Sequence, residues 1–508
     1  MRSAGDRLWI GIEGPTIDAS EWAHLESVRP GGIVLFRRNI ESRDQVRALT
    51  NQLRERLGPL LHVVVDQEGG AVVRFEDGCT VFPGNLSLGA LAAGDREKGL
   101  RLAREWGRVS GMELRAMGID GNLAPVCDLT VRADNPGVGC RSFGGDPALV
   151  GSLAAALVSG HRDAGVFAVL KHFPGLGAAA LDSHDALPRV PAPDVVRHLE
   201  PFALAIAAGA RVVMTAHLIH EGLDAELPAT LSPLVVGGVL RERIGFGGVV
   251  MTDALEMGAV TDLSIEERVE GAVRAGHDVL CLCEGRELQA RARACLDAMA
   301  AGDDERVSAR LDSIALAPPP PASPNAPPGE DVAAAIAVGC VTTLRQGRAP
   351  TTIPADERWL LILPTQRNLS PAEDPLRAED LRPFASALGD RVTLLEVGAE
   401  PSREEIARAA TASAEHDGII VATIGLRSSE ARRQLLLSAL EWHPRTLVVL
   451  LGDPGELASL PARDFTAVTA YGYRRPHQAA LVKLLRGEIT AKGRWPVSPE
   501  VRLAAHLD

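Results

Sequence analysis

The chain predicts an α/β protein: an N-terminal TIM-type (β/α)8 barrel over residues 1–315, a proline-rich linker over 316–330 and a smaller α/β sandwich over 331–508. Three observations carry that expectation. Short apolar runs in the first part alternate with amphipathic helical stretches, the pattern of parallel strands buried on both faces. Most of those runs end in a polar residue, and a barrel gathers the C-terminal ends of its strands at one mouth. The tract LAPPPPASPNAPPGE (316–330) then separates a second, shorter alternation of strands and helices from the first. A doubly wound open sheet is the competing arrangement for the first part.

Taken in order, the eight predicted barrel strands are Trp9–Gly14, Gly32–Phe36, Leu61–Asp66, Asn122–Asp128, Val166–Phe173, Val212–Leu218, Gly248–Ala254 and Asp278–Cys283. Helices are predicted over Arg43–Leu57, Arg96–Met117, Pro147–Gly165, Pro193–Gly209, Leu231–Gly245 and Ser264–Gly276. Ser264 and Glu267 have the spacing of a capping box, each side chain satisfying the other's backbone amide. Past the proline tract, strands Trp359–Leu363, Val392–Val397, Gly418–Ile424 and Thr446–Gly452 alternate with helices such as Arg403–Glu415 and Glu430–Trp442. This second part has neither P-loop spacing nor a GxGxxG, so no nucleotide cofactor is expected there.

Composition narrows the function. The 508 residues are 46% hydrophobic, enough for two or three domain cores. Mean hydropathy is +0.06 and the net charge is −13. That charge argues against a nucleic-acid backbone binder and leaves a small neutral or anionic substrate. No apolar run reaches the roughly 18 residues of a membrane span. The N-terminus enters a strand at once, with no apolar leader, so a cytoplasmic protein is expected, a monomer or homodimer. The seven cysteines (Cys79, Cys127, Cys140, Cys281, Cys283, Cys295, Cys340) are odd in number and scattered, as buried reduced thiols would be. Cys281 and Cys283 would point the same way from a strand. No second pair at ligand spacing completes a metal site, so no metal is expected.

The strand ends carry the chemistry: Glu13, Asp66, Asp128, Lys171 with His172, His217, Asp253 and Glu284. Lys171 stands out because only four of the 53 basic residues are lysine. A compact ammonium fits among sugar hydroxyls where a planar guanidinium does not. Asp66 and Asp253 place two acids in one mouth, beside Lys171, Arg74 and Arg141, and Gly69-Gly70 allows close backbone approach to a ligand. Downstream of Lys171-His172-Phe173-Pro174-Gly175 lies Asp182-Ser183-His184. Residues two apart in an extended loop face the same way. Asp182 can therefore hold one imidazole nitrogen of His184 while the other gives or takes a proton.

These segments together resemble glycoside hydrolase family 3, most of all its β-N-acetylglucosaminidase branch, the NagZ-type enzymes, in a two-domain form. The likeness rests on DQEGGAVVRF (66–75), LAPVCDL (123–129), NPGVGCRSFGGDP (135–147), KHFPGLG to DSH (171–184), PATLS (228–232), GVVMTDALEMGA (248–259) and GEITAKGRWPVSP (487–499). The resemblance implies a retaining exo-acting enzyme that removes terminal β-linked GlcNAc, with Asp253 as nucleophile and His184 as acid/base paired with Asp182. It also implies that Asp66, Arg74, Lys171 and His172 bind sugar hydroxyls, that Arg141 lies near the N-acetyl group and that His217 belongs to the pocket. No cofactor is implied, and the partner is a small carbohydrate from cell-wall or chitin-fragment recycling. The chain departs from the branch at two places. Leu176, Ala178 and Ala179 replace polar residues of its usual GHGDT, and Ala71 stands where arginine is usual. A phosphorylase, a β-glucosidase and a catalytically weak sugar-binding protein are the competing readings.

Overall fold

The computed structural model describes residues 4–193, 195–299, 305–314, 328–364, 380–460, 463–497 and 501. Eight parallel strands close into a barrel in sequence order: β1 (Leu8–Gly11), β2 (Gly32–Leu35), β3 (His62–Val65), β4 (Gly121–Asn122), β5 (Phe167–Phe173), β6 (Val212–Thr215), β7 (Val249–Ala254) and β8 (Val279–Leu282). β8 pairs with β1 to complete the ring. Alternation along each strand divides its side chains between two cores. Trp9, Val34, Val64, Phe167, Val169, Met214, Met251 and Cys281 fill the lumen. Leu8, Ile10, Ile33, Leu35, Val63, Val65, Leu280 and Leu282 instead meet outer-helix residues such as Trp22, Leu49, Leu53, Val269 and Leu296. The helix Glu305–Ser313 adds Val307 and Leu311 to the lumen core.

The capping box at Ser264 forms as expected. Two barrel elements differ from expectation. The fourth strand is only Gly121–Asn122, because Pro125 lacks an amide hydrogen and cannot continue a ladder. The chain beyond still follows β5 irregularly, with Cys127 N donating to Lys171 O over 2.6 Å, and this carries Asp128 to the barrel mouth. The helix expected at Leu231–Gly245 is a shorter π-helical segment, Leu234–Arg243, whose Val-Val-Gly-Gly stretch is a poor α-helix former.

The second sheet has six strands: β9 (Thr342–Arg345), β10 (Trp359–Pro364), β11 (Val392–Val397), β12 (Gly418–Thr423), β13 (Thr446–Leu450) and β14 (Thr466–Thr469). Their order is β9-β14-β13-β12-β10-β11, parallel except for β9 against β14. β9 and β14 were not foreseen: they are short and rich in threonine, without the long apolar runs of the other four. Most of the proline tract lies outside the described residues. The helix Gly329–Cys340 begins at its end and joins the two halves. Val332, Ala333 and Ile336 enter a core shared with barrel helices, while Ala337 and Cys340 enter that of the second sheet. The C-terminal ends of β12, β13 and β14 face barrel segment 134–141 across a cavity of about 290 Å³.

Trp9 is fully buried, and a Cβ placed on Gly32 would approach its ring to 2.6 Å. Trp9→Ala should destabilise the protein by about 3–5 kcal/mol, seen as a lower denaturant midpoint. A change below about 1 kcal/mol would mean that the lumen repacks around the missing ring.

Candidate active site

The mouth of the barrel is built on a buried ion cluster. Lys171, at the end of β5, places Nζ 2.6 Å from Asp66 Oδ1 and 2.6 Å from Glu68 Oε1. Arg141 closes on the other side of Glu68, through Nη2 at 2.7 Å and Nε at 2.9 Å. Lys171 and Glu68 are each only 3% exposed, so the charges must satisfy one another. Burial alone would raise the Glu68 carboxyl, but Arg141 and then Lys171 outweigh it and hold the group below its usual range. Burial likewise opposes the Lys171 ammonium, and Asp66 and Glu68 reverse that and raise it. Glu68, Lys171 and Arg141 thus hold one another in their charged forms, and with Asp66 they make a polar wall.

Asp128 orients the next group. Its Oδ2 accepts His172 Nδ1 at 2.7 Å and its Oδ1 accepts the Leu176 amide at 2.6 Å. A carboxylate only accepts, so Nδ1 carries the proton and Nε2 faces Arg141 Nη2, 3.5 Å away. His217 is fully buried. Its Nε2 lies 2.9 Å from the Ala254 carbonyl and its Nδ1 2.8 Å from the Thr230 hydroxyl. Burial lowers its pKa, and the ring supports the residue after Asp253. Asp253, in β7, is partly buried. Burial would raise its carboxyl, yet the fields of His172, His217 and His184 and the Ala254 amide hold it below the ordinary value.

The loop leaving β5 brings the Asp182/His184 pair over this floor. It first passes Gly177, where a Cβ would sit 1.8 Å from Leu129 O. The apolar departures at Leu176 and Ala179 are buried with Val138, Val190, Ala216 and Leu218, and Ala178 packs beside them. Asp182 Oδ1 then accepts both the His184 amide, at 3.0 Å, and His184 Nδ1, at 2.7 Å. The His184 side chain is 32% exposed, which leaves Nε2 accessible. Burial lowers the imidazole pKa, but the Asp182 hydrogen bond and charge, with Asp253 behind them, raise it overall. Gly258 and Ala259, just past Asp253, donate to the His184 and Ser183 carbonyls, both at 3.2 Å. A Cβ on Gly258 would come within 2.5 Å of His184 O.

The structure therefore brings Asp66, Lys171, His172, Arg141, His217, Asp253, Asp182 and His184 together. Arg74 is buried on the turn following Asp66, its amide donating to Gln67 Oε1 over 2.9 Å. Glu13 and Glu284 lie outside the group, in exposed pairs with Arg286 and Arg38. The sequence assigns no role to Asn135 or Thr230, and to Glu68 none as a counter-ion. For Glu68 a signal existed, since Lys171 and Arg141 buried together need more counter-charge than Asp66 supplies. Glu68→Gln should cost about 3–5 kcal/mol in denaturant unfolding, because it takes the carboxylate partner from Arg141 and one of the two from Lys171. A loss below about 1 kcal/mol would show that water, not Glu68, satisfies them.

With this geometry in place, comparison with known proteins gives a consistent result. Residues 11–315 match the glycosyl hydrolase family 3 N-terminal domain. A beta-hexosaminidase of Alkalilimnicola ehrlichii is 39% identical over 284 residues, covering 55% of this chain and 81% of that protein. A family 3 beta-N-acetylglucosaminidase from Paenibacillus sp. str. FPU-7 superposes with a TM-score of 0.88 at 32% identity, covering 97% of this chain and 98% of that one. NagZ from Neisseria gonorrhoeae, solved with N-trifluoroacetyl-D-glucosamine, gives a TM-score of 0.56 at 31% identity over 66% of this chain and 94% of its own. The chain belongs to glycosyl hydrolase family 3 and is a glycoside hydrolase.

Proposed function

We propose that the chain is a retaining exo-β-N-acetylglucosaminidase in which Asp253 is the nucleophile and His184 the acid/base, with Asp182 as its partner. One observation carries the reading. The Asp253 carboxylate lies at the end of β7, and the His184 imidazole, held by Asp182, hangs from a loop hydrogen-bonded to Gly258 and Ala259 on the same βα connection. That is the pairing a retaining glycosidase needs.

In the first step an Asp253 oxygen bonds to the anomeric carbon as the glycosidic bond breaks, and His184 Nε2 gives its proton to the leaving oxygen. In the second, His184 takes a proton from water, the water oxygen bonds to the same carbon and the ester to Asp253 breaks. Two inversions retain the β configuration. An imidazole has an unperturbed pKa near 6.5, which suits this exchange at neutral pH without the burial a glutamic acid needs. The Asp66–Lys171–Glu68–Arg141 wall and His172 meet the sugar hydroxyls, Arg74 supports them from the adjoining turn, and Arg141 stands beside the N-acetyl group. His217 acts from below by holding the Ala254 carbonyl. The buried thiols Cys127, Cys281, Cys283, Cys295 and Cys340 suit a reducing cytoplasm.

Chromogenic GlcNAc and glucose glycosides, assayed with and without phosphate, test this. GlcNAc glycosides should turn over and phosphate should not accelerate them. A glycosyl phosphate product would make the enzyme a phosphorylase, and absence of turnover would leave a sugar-binding protein. Asp253→Ala should abolish turnover, and a trapped glycosyl ester should map to Asp253. His184→Ala should lose about 10²–10⁴-fold on poor leaving groups and far less on nitrophenyl glycosides, with azide restoring part of the rate.

The pH profile has a defined sign. His184 must be protonated to act first, and its pKa is raised, so kcat/KM should hold above pH 6.5 and fall at higher pH. Asp253 must be ionised, and its depressed pKa moves the acid limb below the usual carboxylate range. Asp182→Asn removes the Asp182 charge that helps raise His184 and should shift the alkaline limb to lower pH. An unmoved alkaline limb would assign it to another group.

A further inference from the structure

Asn135 is 6% exposed and ties two loops together entirely through backbone atoms. Its Nδ2 donates to the carbonyls of Leu176 (2.9 Å), Gly177 (3.1 Å) and Ala179 (3.0 Å). Its Oδ1 accepts the amides of Gly137 (3.0 Å) and Val138 (2.8 Å). The first set lies on the loop that runs from β5 to Asp182 and His184. The second lies on the segment that carries Arg141. Residues 175–180 read Gly-Leu-Gly-Ala-Ala-Ala, a stretch with little side chain to order itself and a large backbone entropy to lose. Besides the turn bond from Ala179 N to Leu176 O, three of its carbonyls, those of Leu176, Gly177 and Ala179, converge on this one amide.

The segment bearing Asn135 lies close against the second domain at two points. A Cβ on Gly139 would lie 3.5 Å from Asp453 Oδ2, and one on Gly455 would lie 2.5 Å from Ala133 O. The charge of Arg427 helps to lower the pKa of Asp134, after its ion pair with Arg132. On the active-site side, a Cβ on Gly137 would be 3.5 Å from the Asp182 carboxylate.

We propose that Asn135 is a positioning residue for the Asp182/His184 pair: it holds the loop closed over Asp253 before substrate arrives, with the second domain as the brace behind it. The proposal rests on His184 being the acid/base. Asn135 touches no reacting atom. It replaces an ordering cost otherwise met on each turnover with one met once, in folding.

Asn135→Ala removes the whole clamp. Asn135→Asp keeps the acceptor for Gly137 and Val138 but turns an oxygen toward the three carbonyls, and it serves if the alanine variant does not fold. In either variant, backbone amides 176–186 should exchange hydrogen about tenfold faster or more, while amides of β1 to β3 are unchanged. The kcat/KM for an alkyl GlcNAc glycoside should fall by about 10–10²-fold, with a much smaller loss on a dinitrophenyl glycoside, since general-acid help is worth about 10²–10⁴-fold. Adding His184→Ala should cost nothing beyond His184→Ala alone. Unchanged exchange overturns the clamp. Equal losses on both leaving groups, or losses that add to those of His184→Ala, overturn the positioning role. If His184→Ala alone shows no leaving-group dependence, the acid/base reading fails, and the exchange measurement still decides the clamp by itself.

Discussion

A lysine held out of water between two carboxylates is the constraint from which the rest of this site follows. Lys171 can stay charged at 3% exposure only because Asp66 and Glu68 approach it from the end of β3 and the ribbon beyond. Glu68 in turn needs Arg141, which arrives from a segment 73 residues later. Four ionisable groups from three parts of the chain therefore have one mutually satisfied arrangement, and losing any member exposes the others to the cost of burial. Closure of the barrel is what delivers them to one place. The same closure puts Asp253 near His172, His217 and His184, whose fields hold its carboxyl below the ordinary value against burial.

The barrel was readable because parallel strands buried on both faces write continuous apolar runs, and their order around the ring is their order in the chain. Where reading failed, a specific residue intervened. Pro125 ended the fourth strand early while leaving its neighbours apolar, so composition still suggested a full strand. Asp253 and the Asp182/His184 pair could be singled out because they sit at a strand end or two residues apart. Glu68 could be read only as a neighbour of Asp66, since its partners are 73 and 103 residues away. Asn135 was harder still. Its five partners are main-chain atoms, and a contact with main chain leaves no mark on residue identity.

The apolar residues in the catalytic loop gain a physical reason from the structure. Leu176 and Ala179 join Val138, Val190, Ala216 and Leu218 in a small core separate from the main ones. A loop with polar residues at those positions can be solvated when it opens. This one would expose that core, so its closed form is favoured by burial as well as by hydrogen bonds. The two exact glycine requirements nearby, at Gly177 against Leu129 O and at Gly258 against His184 O, act in the same direction by letting backbone meet backbone.

The helix Gly329–Cys340 has one face in each of two cores, and this bears on how such a chain could gain or lose its second half. Leu86, Ala90 and Leu91 belong to the barrel in sequence but are buried in the core of the second sheet. Cutting the chain within the proline tract would leave those three residues, and the groove filled by Val332, Ala333 and Ile336, facing water. A family member that consists of the barrel alone must write polar residues on that surface. The side chains on one barrel helix thus record whether a second domain has been its constant companion, and they offer a way to sort one-domain from two-domain lineages by a handful of positions far from the catalytic centre.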